Sequence, residues 1–209
     1  AQKVLSAPAD GYYIFQGSPN ELILAPLAMK AVKYKPEDFR LIQQMALAPM
    51  AIVARKDFPA KNANEMVAYI QKMAKEGKPV NYASVGNGSF YHLIGEELSK
   101  KIGAEMLHVP YRGGPAGILA VSQGESDYIF DNIGNAGAMI RDGMLRGLSL
   151  TGRNRAPQMP EVPTLEEEGY PGFYETVWFG LYAPTGTPRA IIERLNAETN
   201  RWIESQPIQ

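Results

Sequence analysis

The sequence predicts an α/β fold built on mostly parallel strands with helices on both faces. Short apolar stretches alternate with segments of helical periodicity from about residue 55 to residue 176. Glycines end several of the helical segments and also occupy the turns that lead from strand to helix. No apolar run reaches the roughly 20 residues of a membrane-spanning helix. Strands that alternate with helices in this way favour a parallel sheet.

The first 54 residues hold elements that do not close on their own. Residues 12–15 are strand-like, and a short helix is expected over residues 22–31. Residues 42–55 are largely apolar but contain Pro49, so they predict either one strand or two.

The central segment predicts a regular alternation of elements. Asn64 is the expected N-cap of its first helix, and Ser89 begins the second. The expected helices cover residues 64–74, 89–102, 116–123 and 136–141, and the expected strands cover residues 80–83, 105–109, 127–130 and 145–151. A strand over 177–183 and a helix after Pro188 follow.

This order of elements predicts two lobes. Residues 55–176 form one α/β lobe, and residues 1–54 with 177–209 form an incomplete first lobe. The chain crosses between them near 49–55 and 176–183, which describes a hinge beside a cleft. Ligands of open α/β sheets bind beyond the carboxyl ends of the strands, so the glycine-containing loops are expected to face that cleft.

Composition excludes several classes of function. Lys+Arg 21 against Asp+Glu 22 gives a net charge of -1 without a basic cluster, so we expect no nucleic-acid partner. Cysteine is absent and there are only two histidines, which predicts no thiol catalysis and no metal site. Apolar content of 45% is that of an ordinary globular protein, and residues 1–3 do not begin a signal peptide.

The turn Gly86-Asn87-Gly88-Ser89 leads from a strand into a helix and is the first candidate site. Backbone N–H groups at a helix start, with a serine hydroxyl, suit a carboxylate or phosphate. A tight turn with a serine N-cap explains the same pattern, and both interpretations stay open. The turn lacks the third glycine of the dinucleotide fingerprint and the lysine of a Walker loop, so we expect no phosphate cofactor.

Further polar residues stand near predicted strand ends. Asp131 and Asn132 follow an apolar strand as either a helix cap or a cleft pair. Tyr111 and Arg112 are expected at the cleft mouth or in a solvated turn.

The two histidines have different expected roles. His92 and Glu96 stand four residues apart on one helix and can share a face, whereas His108 is expected in the core or at its rim. Ser89 lacks a nucleophile elbow, so we predict no catalytic residue and no enzyme.

Several segments taken together resemble one known family. They include "APADGYYIFQGSP", "NYASVGNGSFYHLIGEEL", "HVPYRGG", "FDN" and "VPTLEEEG", in this order. The chain resembles the Bug family over nearly its whole length. Members of the Bug family are the TctC-type extracytoplasmic solute-binding receptors of tripartite tricarboxylate transporters.

The resemblance implies a two-lobed, type II periplasmic-binding-protein fold that closes on a small carboxylate-bearing ligand. The ligand would be a di- or tricarboxylate, an acidic amino acid or an aromatic acid, bound without a cofactor. The implied ligand-binding residues are Gly86, Asn87, Gly88, Ser89, His92, Asp131 and Asn132 in one lobe, and Ser18 and Asn20 in the other. Integral membrane transporter subunits are the implied partners, and the periplasm is the implied location.

The chain departs from the family pattern at both ends. It lacks the usual opening strand with its glycine-rich loop and the final tens of residues, so we expect a fragment. A fragment predicts weak or no ligand binding, and its open sheet edges make self-association possible although the intact family is monomeric. Two alternatives remain: a ligand-sensing domain of a regulator, and a hydrolase or transferase using Ser89, His92 and Asp131.

Overall fold

A computed structural model of the chain describes residues 1–205. The chain divides into two compact units. The central unit comprises Ala48–Thr176, and the flanking unit comprises Ala1–Leu47 and Val177–Gln209. The predicted hinge crossings concern movement between lobes and stay predictions.

The described chain contains seven α-helices and seven strands. The helices are α1 (Gln2–Leu5), α2 (Ala25–Ala28), α3 (Ala63–Lys75), α4 (Phe90–Ile102), α5 (Gly114–Ser122), α6 (Ile133–Arg141) and α7 (Arg189–Ser205). The strands are β1 (Phe15–Gly17), β2 (Phe39–Arg55), β3 (Asn81–Ser84), β4 (Leu107–Pro110), β5 (Tyr128–Asn132), β6 (Leu145–Leu150) and β7 (Thr176–Pro184). None of the described helices is both long and apolar enough to cross a membrane.

The central unit is a five-stranded sheet with helices packed against it. β3 is parallel to both β4 and β5, whereas the second half of β2 is antiparallel to β5 and β6. β3 and β5 are short, largely buried strands, and Ile129, for example, has no exposed surface, whereas β4 is partly exposed. The parallel β3, β4 and β5 therefore end at one edge of the sheet, where each continues into a helix.

The flanking unit is smaller and more open. β7 lies between β1 and the first half of β2, and it is antiparallel to β1. A small cluster of Ile42, Ala183 and Ile192 forms an apolar core, with Leu181 and Leu195 packed against it.

Several predicted element boundaries are wrong, including those that involve Tyr12 and Asn64. β1 begins at Phe15 and not at Tyr12, whose side chain is 89% exposed. For residues 42–55, where one strand or two were predicted, the structure has one: Pro49 does not break β2, because the residues that pair with β5 and β6 begin immediately after it and its missing N–H interrupts neither ladder. The N-cap of α3 is Asn62, whose side chain accepts from the Glu65 N–H; Asn64 instead donates to the Glu168 carbonyl.

Candidate functional site

Three loops meet at the edge where the parallel strands of the central unit end. They follow β3 at residues 85–89, β4 at residues 111–113, and β5 directly at the start of α6. The Tyr111 N–H donates to the Ser84 carbonyl at 2.8 Å and ties the first two loops together. This edge is where an open α/β sheet binds ligands.

The glycine turn after β3 is held by hydrogen bonds from inside the protein. Gly86 and Gly88 have φ angles of +133° and +72°, which residues other than glycine rarely adopt. The Gly86 N–H donates to Ser84 Oγ at 3.1 Å, and the Ser89 N–H donates to the Gly86 carbonyl at 3.2 Å. Asn87 is exposed at the tip. The turn is therefore ordered by its own neighbours, and three of its N–H groups, counting that of Gly88, are engaged internally.

Ser89 is the N-cap of α4, as the sequence predicts. Its hydroxyl accepts from the His92 N–H at 3.3 Å, and the His92 ring reaches back so that Nδ1 accepts from the Gly88 N–H at 3.1 Å. This pattern differs from a capping box, because the histidine ring bonds the N–H of Gly88, one residue before the N-cap, and not that of Ser89.

The two histidines lie together in a partly buried cluster. Their rings stack with centroids 3.9 Å apart, and His108 Nε2 lies 2.5 Å from Ser84 Oγ. Burial lowers the pKa of His108, the neighbouring His92 lowers it further, and Glu96 opposes both effects. The hydroxyl of Tyr82 donates to Glu96 Oε1 at 3.0 Å, and burial followed by this bond raises the pKa of Tyr82.

Asp131 is the least satisfied polar group at this edge. It belongs to β5 itself, where its carboxyl group is fully buried. Oδ1 accepts from the Asn132 N–H at 2.7 Å and from Asn135 Nδ2 at 3.0 Å, but Oδ2 has no hydrogen-bond partner among residues 1–205. Burial raises the pKa of this carboxyl group, and the bonds from Asn132 and Asn135 partly offset that rise.

The unpartnered oxygen lies against the start of α5. A methyl group built at Gly114 would lie 2.9 Å from Asp131 Oδ2, so a side chain there would displace the carboxyl group. Asn132 is the N-cap of α6: its side chain accepts a hydrogen bond from the Asn135 N–H at 3.1 Å.

The predicted residues of the flanking unit also form a local motif. The Ser18 hydroxyl donates to Glu21 Oε2 at 2.6 Å and accepts from the Asn20 N–H at 3.2 Å. This motif begins a π-helical turn, Asn20–Leu24, that continues into α2. A ligand-binding role for Ser18 and Asn20 stays a prediction.

Tyr111 and Arg112 have different surroundings. The Tyr111 ring packs against the central core, and its hydroxyl is 3.1 Å from Ser126 Oγ, whereas Arg112 is exposed. The Tyr111 hydroxyl is thus already bonded within the protein, while Arg112 is accessible to solvent, and a role for it at a cleft mouth stays a prediction.

The positions of the two histidines do not support the hydrolase alternative, because they do not form a catalytic set with Ser89. The Nδ1 atom of His92 accepts from the Gly88 N–H, and its Nε2 atom lies 3.7 Å from Glu96 Oε1. The serine hydroxyl that does meet an imidazole is that of Ser84, which is fully buried beneath the turn. Among the described residues, no three His, Asp or Glu side chains gather as metal ligands.

An apolar cavity of about 280 Å³ lies elsewhere in the central unit. Met66, Leu98, Phe130 and Phe173 are among its walls, and Lys101 at its rim is paired with Glu97 at 2.8 Å. None of the predicted ligand-binding residues lines it.

Four further residues shape this edge: sequence reasoning missed Ser84, Gly114 and Asn135, and it placed His108 only in the core or at its rim. Of these four, Gly114 was recognisable from the sequence only as part of the glycine turn in "HVPYRGG". The other three act through contacts between separate elements.

Known proteins resemble this chain over most of its length. Residues 1–207 match the family described as "Tripartite tricarboxylate transporter family receptor". A UPF0065 protein of Bordetella pertussis is 34% identical over 198 residues, which is 95% of this chain and 60% of that protein. Protein BugT of the same organism is 29% identical, over 96% of this chain and 61% of its own length. The chain thus spans about 60% of the length of these curated relatives.

Solved structures agree with these matches. The periplasmic binding protein BugD superposes with a TM-score of 0.86 at 30% identity, covering 98% of this chain and 67% of that one. MatC from Rhodopseudomonas palustris, solved with bound malate, gives the same TM-score and identity over 98% of this chain and 68% of that one. An R. palustris protein solved with adipate gives a TM-score of 0.87 at 28% identity, over 94% of this chain and 65% of that one. The predicted periplasmic-binding-protein fold is confirmed.

Proposed function

Because the chain belongs to the tripartite tricarboxylate transporter receptor family, we propose that it is a solute-binding protein for a small carboxylate-bearing ligand. The ligand would bind at the loop edge of the central unit, against the Gly86–Ser89 turn, the start of α5 at Gly114, and Asp131. The protein would deliver it to the membrane subunits of a transporter from the periplasm. Ser18 and Asn20 are proposed as further ligand-binding residues on the strength of the family resemblance alone.

The observation that carries this proposal is the unpartnered Oδ2 atom of Asp131. A buried carboxyl oxygen without a hydrogen bond costs free energy, so a folded protein rarely keeps one unless something else bonds to it. Oδ2 lies next to Gly114, at the sheet edge where ligands of such folds bind.

The chemistry of the edge suits an anion held partly through water. The first turns of α4 and α5 direct their positive dipole ends toward this edge and favour a carboxylate. Asp131 accepts a bond from a bridging water or from the ammonium group of an amino acid. Relatives solved with malate and with adipate make these two dicarboxylates the first probes.

The proposal is tested by titrating malate, adipate, glutamate and benzoate into the ¹⁵N-labelled 209-residue chain. We expect at least one to shift the amide signals of Gly86–Ser89, Gly114 and Asn132. Because the chain spans about 60% of the length of its curated relatives, a dissociation constant of about 1–10 mM is expected, equivalent to roughly 3–4 kcal/mol.

Two variants that each add one heavy atom serve as a matched pair. Gly114→Ala crowds Asp131 Oδ2 and should weaken binding, whereas Ala138→Ser changes an exposed position on α6 and should not. The proposal fails if no probe shifts these amides, or if the shifts concentrate around the apolar cavity instead.

A further inference from the structure

We propose that His92 is a positioning residue that latches the Gly86–Ser89 turn: neutral His92 keeps the Gly88 N–H inside the protein, and protonated His92 releases it toward an anionic ligand. The inference deepens the proposed function and rests on it for the ligand. The latch itself concerns contacts within the central unit and can be tested without any ligand.

The latch follows from the direction of one hydrogen bond. The Gly88 backbone is the donor, and His92 Nδ1, 3.1 Å away, must therefore be an unprotonated acceptor. A proton added at Nδ1 turns the acceptor into a second donor facing the first. The bond is then lost, and the Gly88 end of the turn presents two free donors and a positive charge in place of one internal bond.

A second anchor holds the other end of the turn. Ser84 Oγ accepts from the Gly86 N–H at 3.1 Å and bonds to His108 Nε2. Because Ser84 is fully buried in β3, this anchor stays in place when His92 changes state. Protonation of His92 therefore frees the Gly88 end of the turn while the Gly86 end remains fixed.

The groups around His92 come from three elements. Glu96, on the same helix, has Oε1 3.7 Å from His92 Nε2. His108 of β4 stacks on the ring, and its own pKa is lowered by burial and by His92. Tyr82 of β3 contributes a neutral hydroxyl, 3.4 Å from the His92 carbonyl. Since two cations at this stacking distance repel each other, we expect only one of the two rings to take up a proton.

The first experiment follows the Gly88 amide and the His92 ring nitrogens by NMR without ligand, from about pH 8 to about pH 5, where histidines generally titrate. We expect the Gly88 amide signal to move upfield and to exchange faster with solvent, with the same midpoint as the His92 ring. The Gly124 amide, which donates to the Val121 carbonyl, is the internal control and should not follow. A Gly88 amide that stays constant while His92 titrates overturns the latch.

Two variants decide which histidine is responsible. His92→Asn keeps an acceptor near the position of Nδ1 but takes up no proton, so the pH response of Gly88 should disappear. His108→Gln keeps a partner for Ser84 in place of Nε2, so the response should persist. The opposite pattern, with the response kept in His92→Asn and lost in His108→Gln, assigns the switch to His108 and overturns the proposal.

The ligand arm uses malate at about pH 8 and about pH 6, where malate is still mainly a dianion. Binding should be about threefold tighter at the lower pH, and this gain should be absent in His92→Asn. If Gly88 responds to pH but no carboxylate binds, the proposed function fails and the latch stands. If malate binds while Gly88 ignores pH, the latch fails and the proposed function stands.

Discussion

The central and flanking units differ in how many of their apolar residues are buried. Of the buried apolar residues in the described chain, thirty-three lie in the central unit and six in the flanking unit. Large exposed apolar side chains show the reverse distribution, with four in the central unit and nine in the flanking unit. Burial of apolar surface is the main stabilising contribution to folding. The central unit therefore has the means to fold around its own core, and it is also the unit that carries the best-defined candidate site.

The largest effect is expected from matched truncations in the two cores. Ile129 of β5 belongs to a cluster of twelve buried residues. Ile42 of β2 shares its cluster with only two other buried residues, Ala183 and Ile192. Ile129→Ala should cost about 4 kcal/mol and Ile42→Ala about 2 kcal/mol, because a cavity in the smaller cluster can collapse more easily. Urea unfolding followed by circular dichroism measures both. Equal losses would contradict the contrast between the units.

A second effect should appear in the unmodified chain. Both tryptophans, Trp178 and Trp202, belong to the flanking unit, so tryptophan fluorescence follows that unit alone. Circular dichroism follows both units. We expect the fluorescence transition to fall about 1 M urea below the dichroism transition, a difference of about 2 kcal/mol. Coincident transitions would mean that the two units unfold as one. Trp202→Phe, which leaves Trp178 as the single reporter, should keep the separation.

A different contrast, between contacts made by near neighbours in the sequence and contacts between distant segments, explains which features were predictable from the sequence. The cap at Ser89 and the left-handed Gly103 that ends α4 were predicted, because both depend on residues only a few positions away. The prediction of Asn64 as the N-cap of α3 was wrong: the cap is Asn62, and Asn64 is bonded to Glu168, more than a hundred residues later.

The residues of the candidate site also differ in whether local sequence pattern or contacts between distant segments determine them. The glycine turn and the Asp131–Asn132 pair were identified from local pattern and from family resemblance, and their ligand-binding role stays a proposal. The Ser84–His108 pair was not predicted, since it depends on the β3–β4 register, in which Tyr82 lies opposite His108. The empty hydrogen-bonding position at Asp131 Oδ2 was also beyond prediction, because it arises only when α5 packs against β5.

The smallest effect tests whether the central unit gives up stability at its candidate site. Burial raises the pKa of Asp131 in the folded protein, so the folded state holds the proton more tightly than the unfolded state. The contribution of Asp131 to stability is therefore present below the unfolded-state pKa, near 4, and is lost as the pH rises through the folded-state pKa. Asp131→Asn keeps an acceptor for Asn132 and Asn135 but carries no charge. It should be about 1 kcal/mol more stable than the original chain at neutral pH, and this gain should disappear as the pH falls toward 4.

Urea unfolding at the two pH values measures this gain, and Asp142→Asn at an exposed position of the same unit is the control. A variant that is less stable at neutral pH, or equally stabilised at both pH values, would contradict the assignment of the cost to the buried charge. If the stabilised variant also binds amine-bearing ligands such as glutamate more weakly than the original chain does, the two results together have one physical explanation. That explanation is that the central unit would retain a costly carboxyl group because the group bonds to the ligand.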